Sequence, residues 1–285
     1  MKLDGATFLL QLAAGGLLFC WVTTRRRQVS LGYGWLLRSV YGVMAIGAAA
    51  LFATQEVTTA RTIALIASIG VVLGATVALV VSVVRRRAGV RAREEVLADR
   101  RARVAAMVGR EALEMPERER LPEFPPVLDL VAPAFGLAGL LAAAVFAGGP
   151  YALAAARLLV GAAFLGSVSD AMLLGHWYLV QPGLGRGPVK ELVCWTAIVW
   201  PLELAVFLWP IGMVQVIDGT VDDGYNGLLG WIWIACAVTT IGLVVLTWFA
   251  LKERYYSAVM AATGLLYLAI LTAFGTDLIA RAVLS

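Results

Sequence analysis

The sequence predicts an all-α, polytopic integral membrane protein with eight transmembrane helices and one basic, amphipathic cytoplasmic arm. Of its 285 residues, 61% are hydrophobic and 15% are charged, whereas about a quarter of the residues in a soluble domain are charged. Apolar runs of about 20 residues, the length that crosses the hydrocarbon core of a bilayer, recur along the chain. The runs are continuous rather than alternating, which predicts helices and not the strands of a barrel.

The apolar runs divide the chain into three parts. Residues 1–84 hold three predicted spans, at 5–24, 34–54 and 62–84. Residues 85–126 form one long charged segment. Residues 127–285 hold five predicted spans, at 127–147, 151–180, 188–216, 228–251 and 256–284. The first run is too long for a removed signal peptide and lacks a small-residue cleavage pattern, so it is predicted to be a retained span.

The distribution of basic residues predicts the orientation. The segments that follow spans 1, 3, 5 and 7 hold 18 of the 23 lysines and arginines. Basic segments stay on the cytoplasmic side of a membrane. We therefore expect a multi-pass protein of the cell membrane with both termini outside and residues 85–126 in the cytoplasm. Because the basic residues are concentrated in the segments on one side of the membrane, the positive net charge does not indicate a nucleic-acid partner.

The charged segment 85–126 is expected to be an arm. Val90, Leu97, Val104 and Val108 recur at a heptad-like spacing among arginines and glutamates, which predicts an amphipathic helix. The residues after it, 115–126, are rich in proline and glutamate and predict an extended linker. The arm could bind other membrane or peripheral protein subunits, or anionic lipid. The spans themselves are expected to contact the lipid bilayer. It could also be a solvated connector between two halves of four spans.

The fifth predicted span carries the most unusual group of side chains. His176 is the only histidine of the chain, and Trp177 and Tyr178 follow it directly. Asp170 lies six residues earlier, roughly 15 Å deeper in the membrane than Gln181 at the end of the span. An acid in an apolar span is costly and therefore indicates a functional role.

The sixth predicted span adds a second acid, Glu203, two residues after Pro201. Spans 5 and 6 are joined by a short turn, so the two acids are expected at similar depths on neighbouring helices. Either one acid is protonated, or a cation such as Arg38 or Arg157 neutralises one of them. In the last span, Asp277 and Arg281 are four residues apart and predict a local ion pair near the outer surface.

The residue inventory argues against several cofactors. One histidine cannot provide both ligands of a bis-histidine haem, and no CxxCH motif is present. Cys20, Cys194 and Cys236 lie in separate predicted spans, which indicates packing residues rather than a disulfide or a metal site. We expect no haem or metal to be bound by this chain alone. No Walker, HExxH or GxSxG motif occurs.

A quinone is the cofactor that these residues would suit. A quinone head group needs a donor near each carbonyl, flat walls and a proton route. His176, Trp177, Tyr178 and Arg38 are predicted to bind it, while Asp170 and Glu203 would act catalytically as proton carriers. In span number and residue type, the chain resembles the anchor subunits of membrane oxidoreductases of the DMSO-reductase type. That resemblance implies a haem-free subunit of an electron-transfer complex that exchanges quinol with an iron–sulfur partner.

Two other functions fit the same residues. In a proton-coupled small-molecule transporter, Asp170 and Glu203 would be the coupling carboxylates and the kink at Pro201 would act as a gate. In a structural scaffold of a membrane complex, the polar groups would only satisfy one another. The His-Trp-Tyr sequence could then be an ordinary interfacial anchor, since aromatic residues are common at membrane surfaces.

Overall fold

A computed structural model of the chain contains eight helices that are long and apolar enough to cross a membrane. The structure describes residues 4–88, 98, 102, 122–181, 183–209 and 212–284, and these contain no strand. The predicted fold class, an all-α multi-pass membrane protein, is confirmed.

The spanning helices follow the predicted runs closely. They are α1 Gly5–Thr24, α2 Leu31–Ala53, α3 Thr59–Val84, α4 Val131–Ala143, α5 Tyr151–Val180, α6 Gly187–Leu208, α8 Leu228–Ala250 and α9 Tyr256–Val283; a short helix, α7, covers Met213–Ile217. Two 3-10 turns, Arg85–Ala88 and Pro126–Leu130, flank the predicted arm.

The fourth span differs from its prediction at both ends. Its entry is a 3-10 turn, and the α-helical part ends at Ala143. Gly148 and Gly149 follow with φ values of 87° and 78°, a conformation that glycine adopts without steric cost. With the 3-10 turn included, the segment Pro126–Ala143 has 18 residues and still reaches spanning length.

The sixth span, predicted to be continuous from 188 to 216, is broken. Helix α6 ends at Leu208, and Trp209 is extended with φ −137° and ψ 150°. The next residue is Pro210, and a residue that precedes proline is disfavoured in the helical region. The chain resumes as the short helix α7. Pro201 lies inside α6, as the sequence predicts.

The bundle has two ends, which we name by their residues. The arginine end holds the connections α1–α2, α3–α4, α5–α6 and α8–α9, including Arg25–Arg27 and Arg85–Arg87. The terminal end holds the start of α1, the end of α9 and the acidic loop between α7 and α8. At the arginine end, Glu191 of α6 forms ion pairs with Arg25 and Arg26 at 2.5 and 2.9 Å.

Helices α1 and α5 form the centre of the bundle. They are the two most buried spans, while the other helices expose apolar side chains such as Ile66, Leu73 and Leu271 outward. Glycines allow their backbones to touch: a Cβ atom on Gly15 would overlap the carbonyl of Ala162, and one on Gly166 would overlap the backbone of Gly15. Small residues at such contacts are typical of packing inside membranes.

Most of the predicted amphipathic arm lies outside the described residues, namely 89–97, 99–101 and 103–121. Its helical conformation and its docking role therefore stay predictions. Where the chain returns to the bundle, Arg85 donates from Nη1 to the backbone oxygen of Glu123 at 3.0 Å.

The glycine contact gives a direct prediction. We expect Gly166→Ala to lower the free energy of unfolding by about 1–3 kcal/mol, because the added methyl group has no space between two backbones. Gly264→Ala on α9 is the matched control, since nothing lies within 4 Å of its Cβ position. Unfolding of the purified variants in mixed micelles measures both values, and equal stability would contradict the tight contact.

Candidate functional site

Asp170 is buried on α5 and is bound by two tyrosines of α2. The Tyr41 hydroxyl donates to Oδ1 at 2.6 Å, and the Tyr33 hydroxyl donates to the backbone oxygen of Asp170 at 3.0 Å. The second carboxyl oxygen, Oδ2, has no hydrogen-bond partner among the described residues. The predicted deep acid is therefore held by hydroxyl groups and not by a cation.

Glu203 is buried on α6 and faces α9. Its carboxyl group lies within electrostatic and hydrogen-bonding range of Asp277, and Arg281 is nearby. No donor in the described part of the chain bonds either oxygen of Glu203. Asp277 and Arg281 form an ion pair, with 2.6 Å between Oδ2 and Nε and 3.0 Å between Oδ1 and Nη2.

Gln11 of α1 completes this group, which we call the Glu203 cluster: Glu203, Asp277, Arg281 and Gln11. Arg281 donates from Nη2 to the side-chain oxygen of Gln11. Gly161 of α5 makes room for the cluster, because a Cβ atom there would overlap the Gln11 amide and lie 2.9 Å from Oδ1 of Asp277. Four helices therefore meet around one buried polar group.

Arg38 is paired with an acid that the sequence reasoning did not single out. Its Nε and Nη2 each donate to a different oxygen of Asp129 at 2.7 Å. Thr24 donates to the same carboxylate at 2.8 Å, and the guanidinium lies 4.4 Å from the centre of the Phe124 ring. Of the alternatives that the sequence left open, neutralisation of Asp170 or Glu203 by Arg38 is not observed, since its Nε and Nη2 are used by Asp129.

Arg157 lies on α5, one helical turn before Gly161. It donates from Nε to the backbone oxygen of Val206 at 2.8 Å and lies over the ring of Phe207. Arg281 is its neighbouring cation. The cation beside Glu203 is thus Arg281 of α9.

The three residues His176, Trp177 and Tyr178 point to different neighbours. His176 is exposed, and its Nδ1 lies 3.3 Å from the hydroxyl of Tyr267 on α9. Trp177 donates from Nε1 to Ser30 and Gln181, both at 3.1 Å. Tyr178 is buried and donates to the backbone oxygen of Gly185 at 2.6 Å, closing the α5–α6 connection.

The predicted site residues are therefore not gathered around one cavity. Asp170 faces α2, Glu203 faces α9, and His176 contacts α9 nearer the arginine end. Cys20 is buried on α1, and Asp170, Arg38 and Asp129 are the charged groups that influence it. The Glu203 cluster occupies the half of the bundle toward the terminal end.

A tightly packed layer separates the two polar groups. Gly15 and Gly16 lie on α1 between Gln11 and Cys20. Gly16 leaves space only for the ring of Tyr41, and Gly15 touches the backbone of α5. The backbone contact of Gly15 with α5 therefore lies between Gln11 and the bonded pair of Tyr41 and Asp170.

Sequence reasoning missed three parts of this arrangement. Gln11 is an amide in an otherwise apolar run, which is the signal that could have marked it. Asp129 is one of the few acids at the beginning of a span. The pair Asp277–Arg281 was predicted, but its burial inside the bundle was not. Its depth in the membrane stays a prediction.

Among the described residues, no group of three or more histidine, cysteine or acidic side chains is placed to hold a metal ion. No protein-family model, curated protein or solved structure matches this chain.

The buried pair of Arg38 and Asp129 generates a second prediction. Asp129→Ala should cost about 3–5 kcal/mol in unfolding free energy, because it leaves a buried guanidinium without its partner. Glu56→Ala is the control, since Glu56 is exposed and pairs with Arg61 at 3.6 Å. Such surface pairs contribute about 0–1 kcal/mol. An unfolding titration in detergent micelles measures both losses. Equal losses of unfolding free energy would show that the buried pair contributes no more to stability than the surface pair.

Proposed function

We propose that this chain is a proton-coupled transporter in which Glu203 and Asp170 carry the protons. The observation that supports this best is the Glu203 carboxyl, which is fully buried in a spanning helix, has no donor among the described residues and lies beside a second carboxyl. A structural polar residue in a membrane is normally fully hydrogen-bonded. An acid that lacks donors is suited to bind and release a proton.

Charge counting in the Glu203 cluster supports a shared proton. Arg281 already pairs with Asp277, and among the described residues no donor bonds a carboxyl oxygen of Glu203 beside that pair. A charged side chain without an ion-pair partner inside an apolar span is costly. One proton between the two carboxyl groups removes this charge and provides their missing hydrogen bond.

Asp170 would exchange protons with the arginine end. Oδ2 is unpartnered in the described region, while Tyr41 bonds the other oxygen. Hydroxyl groups can both accept and donate a proton, so tyrosines beside an acid are suitable relay groups. The glycine layer between Asp170 and the Glu203 cluster would prevent a continuous proton leak.

Pro201 places a break in the helical hydrogen bonding next to Glu203. A proline inside a helix removes one backbone bond and frees the carbonyl four residues earlier, here that of Ala197. Bends in helices occur at such positions. The two ends of α6 could therefore move relative to one another when Glu203 changes its charge.

Proton transfer can be tested with the purified chain in liposomes on a solid-supported membrane, which records currents when a panel of small solutes is applied under a pH gradient. We expect a solute-dependent proton current that Glu203→Gln and Asp170→Asn each reduce at least tenfold. Asp222→Asn, in the exposed loop before α8, should leave it unchanged. Currents that are the same in all four proteins would rule out the assigned roles.

A quinone-linked subunit is the second candidate. The observation that favours it lies at the arginine end, where Arg38 lines a small cleft together with Ser30, which accepts the hydrogen bond of Trp177.

Mass spectrometry of the protein purified gently from native membranes distinguishes the candidate functions. Co-purification of redox subunits with near-stoichiometric quinone would favour a quinone-linked subunit, and His176→Ala should then abolish quinol-linked activity. A solitary chain without quinone would support the transporter, and many partners without quinone would support a scaffold.

We also propose that the arginine end faces the cytoplasm and that both termini lie outside. In a background without Cys20, Cys194 and Cys236, Asp222→Cys should react with a membrane-impermeant maleimide added to intact cells. Arg254→Cys, which is also exposed but at the arginine end, should react only after the membrane is opened. The reverse labelling pattern would invert the orientation.

A further inference from the structure

A small cleft lies at the arginine end, between the start of α2 and the segment that enters α4. Its polar lining comes from Thr24, Arg27, Ser30, Arg38 and Glu123. The proposed transport function uses none of these residues. A ligand of this cleft would therefore be independent of the proposed transport function.

One buried donor in the cleft lacks an acceptor. The Arg38 side chain is 1% exposed, and Nη1 has no hydrogen-bond partner in the described part of the chain. Because Asp129 occupies the edge formed by Nε and Nη2, Nη1 points away from it. It lies over Gly34, another residue of the cleft wall, where a Cβ atom would be only 2.8 Å away. An unpaired buried N–H of a charged group is costly, so a ligand acceptor would stabilise it.

The first turn of α2 provides a second set of donors. Ser30 is the N-cap residue of this 23-residue helix, but its side chain does not bond the first backbone N–H groups. The Ser30 hydroxyl instead accepts the bond from Trp177. Ser30 and Leu31 both line the cleft. The start of a helix carries a partial positive charge and uncapped N–H groups, which favour anions.

The charged groups that the structure describes around the cleft leave an excess of positive charge. Arg38 is balanced by Asp129, and Arg27 is balanced by Glu123 at 2.6 Å. Arg85 uses its Nη1 for the backbone oxygen of Glu123, which brings a third guanidinium to the same place. Three arginines therefore meet two carboxylates, and the start of α2 adds to the positive side.

We propose that this cleft binds a phosphate group, either as inorganic phosphate or as the phosphate of a lipid head group. Donors reach it from three directions, namely Nη1 of Arg38, the first turn of α2 and Arg27. This arrangement suits an oxyanion that has several acceptor oxygens. Gly34 is the residue that keeps the approach to Nη1 clear.

Calorimetric titration of the full chain in a phosphate-free maltoside detergent tests the proposal. The probes are inorganic phosphate, dioctanoyl phosphatidic acid and, as an uncharged control, dioctanoylglycerol. Gly34→Ala should weaken phosphate binding at least tenfold, because the methyl group meets Nη1 while the bond to Asp129 stays in place. Arg27→Gln should weaken it severalfold.

Matched controls lie on the same elements. In Gly42→Ala the new Cβ atom lies 3.9 Å from Ala75, an ordinary contact, and Arg26 pairs with Glu191 away from the cleft. Gly42→Ala and Arg26→Gln should therefore bind like the wild type. Binding of both phosphate probes identifies a site for the free anion, and binding of phosphatidic acid alone identifies a head-group site. No binding of either probe, or equal binding by Gly34→Ala, Arg27→Gln and the two controls, would overturn the proposal.

Discussion

The contact between the backbones of α1 and α5 positions the rest of this bundle. Gly15 and Gly166 bring the two helices so close that no side chain fits between them. The remaining helices pack around this pair and leave their outer faces to lipid. In a membrane, where lipid chains compete with apolar side chains, such close packing is a main source of helix association.

This contact also determines where polar groups can be placed. Between Gly15 and Gly166 there is no volume for a side chain, and the two groups of buried acids lie on either side of this contact. Tyr33, Tyr41 and Asp170 lie toward the arginine end, and the Glu203 cluster lies toward the terminal end. A small residue, Gly161, again provides the room for Gln11 and Asp277. The separation of the two polar groups is thus a consequence of packing.

The fold could be predicted because each span is marked by its own local sequence, with apolar runs of the right length and basic residues between them. The deviations have local causes as well, since Pro210 disfavours a helical conformation at Trp209 and α6 ends at Leu208. The partners of the polar residues could not be predicted. Which side chain contacts Arg38 or Glu203 depends on how the helices are rotated and on which helices are neighbours. Asp129, the partner of Arg38, and Arg281, the cation beside Glu203, are each distant in sequence from the residue that they contact. The three consecutive residues His176, Trp177 and Tyr178 show the same limit, because helical geometry turns successive side chains by about 100°.

Proton coupling in this protein depends most on the protonation state of the Glu203 carboxyl. Infrared difference spectroscopy of the chain in liposomes, recorded while the pH is changed, detects the carbonyl stretching band of a protonated carboxylic acid. We expect such a band near neutral pH in the wild type, with one component lost in Glu203→Gln, another lost in Asp170→Asn, and both retained in the loop variant Asp222→Asn. A wild type without the band, or a band that Glu203→Gln leaves unchanged, would contradict a proton shared between Glu203 and Asp277.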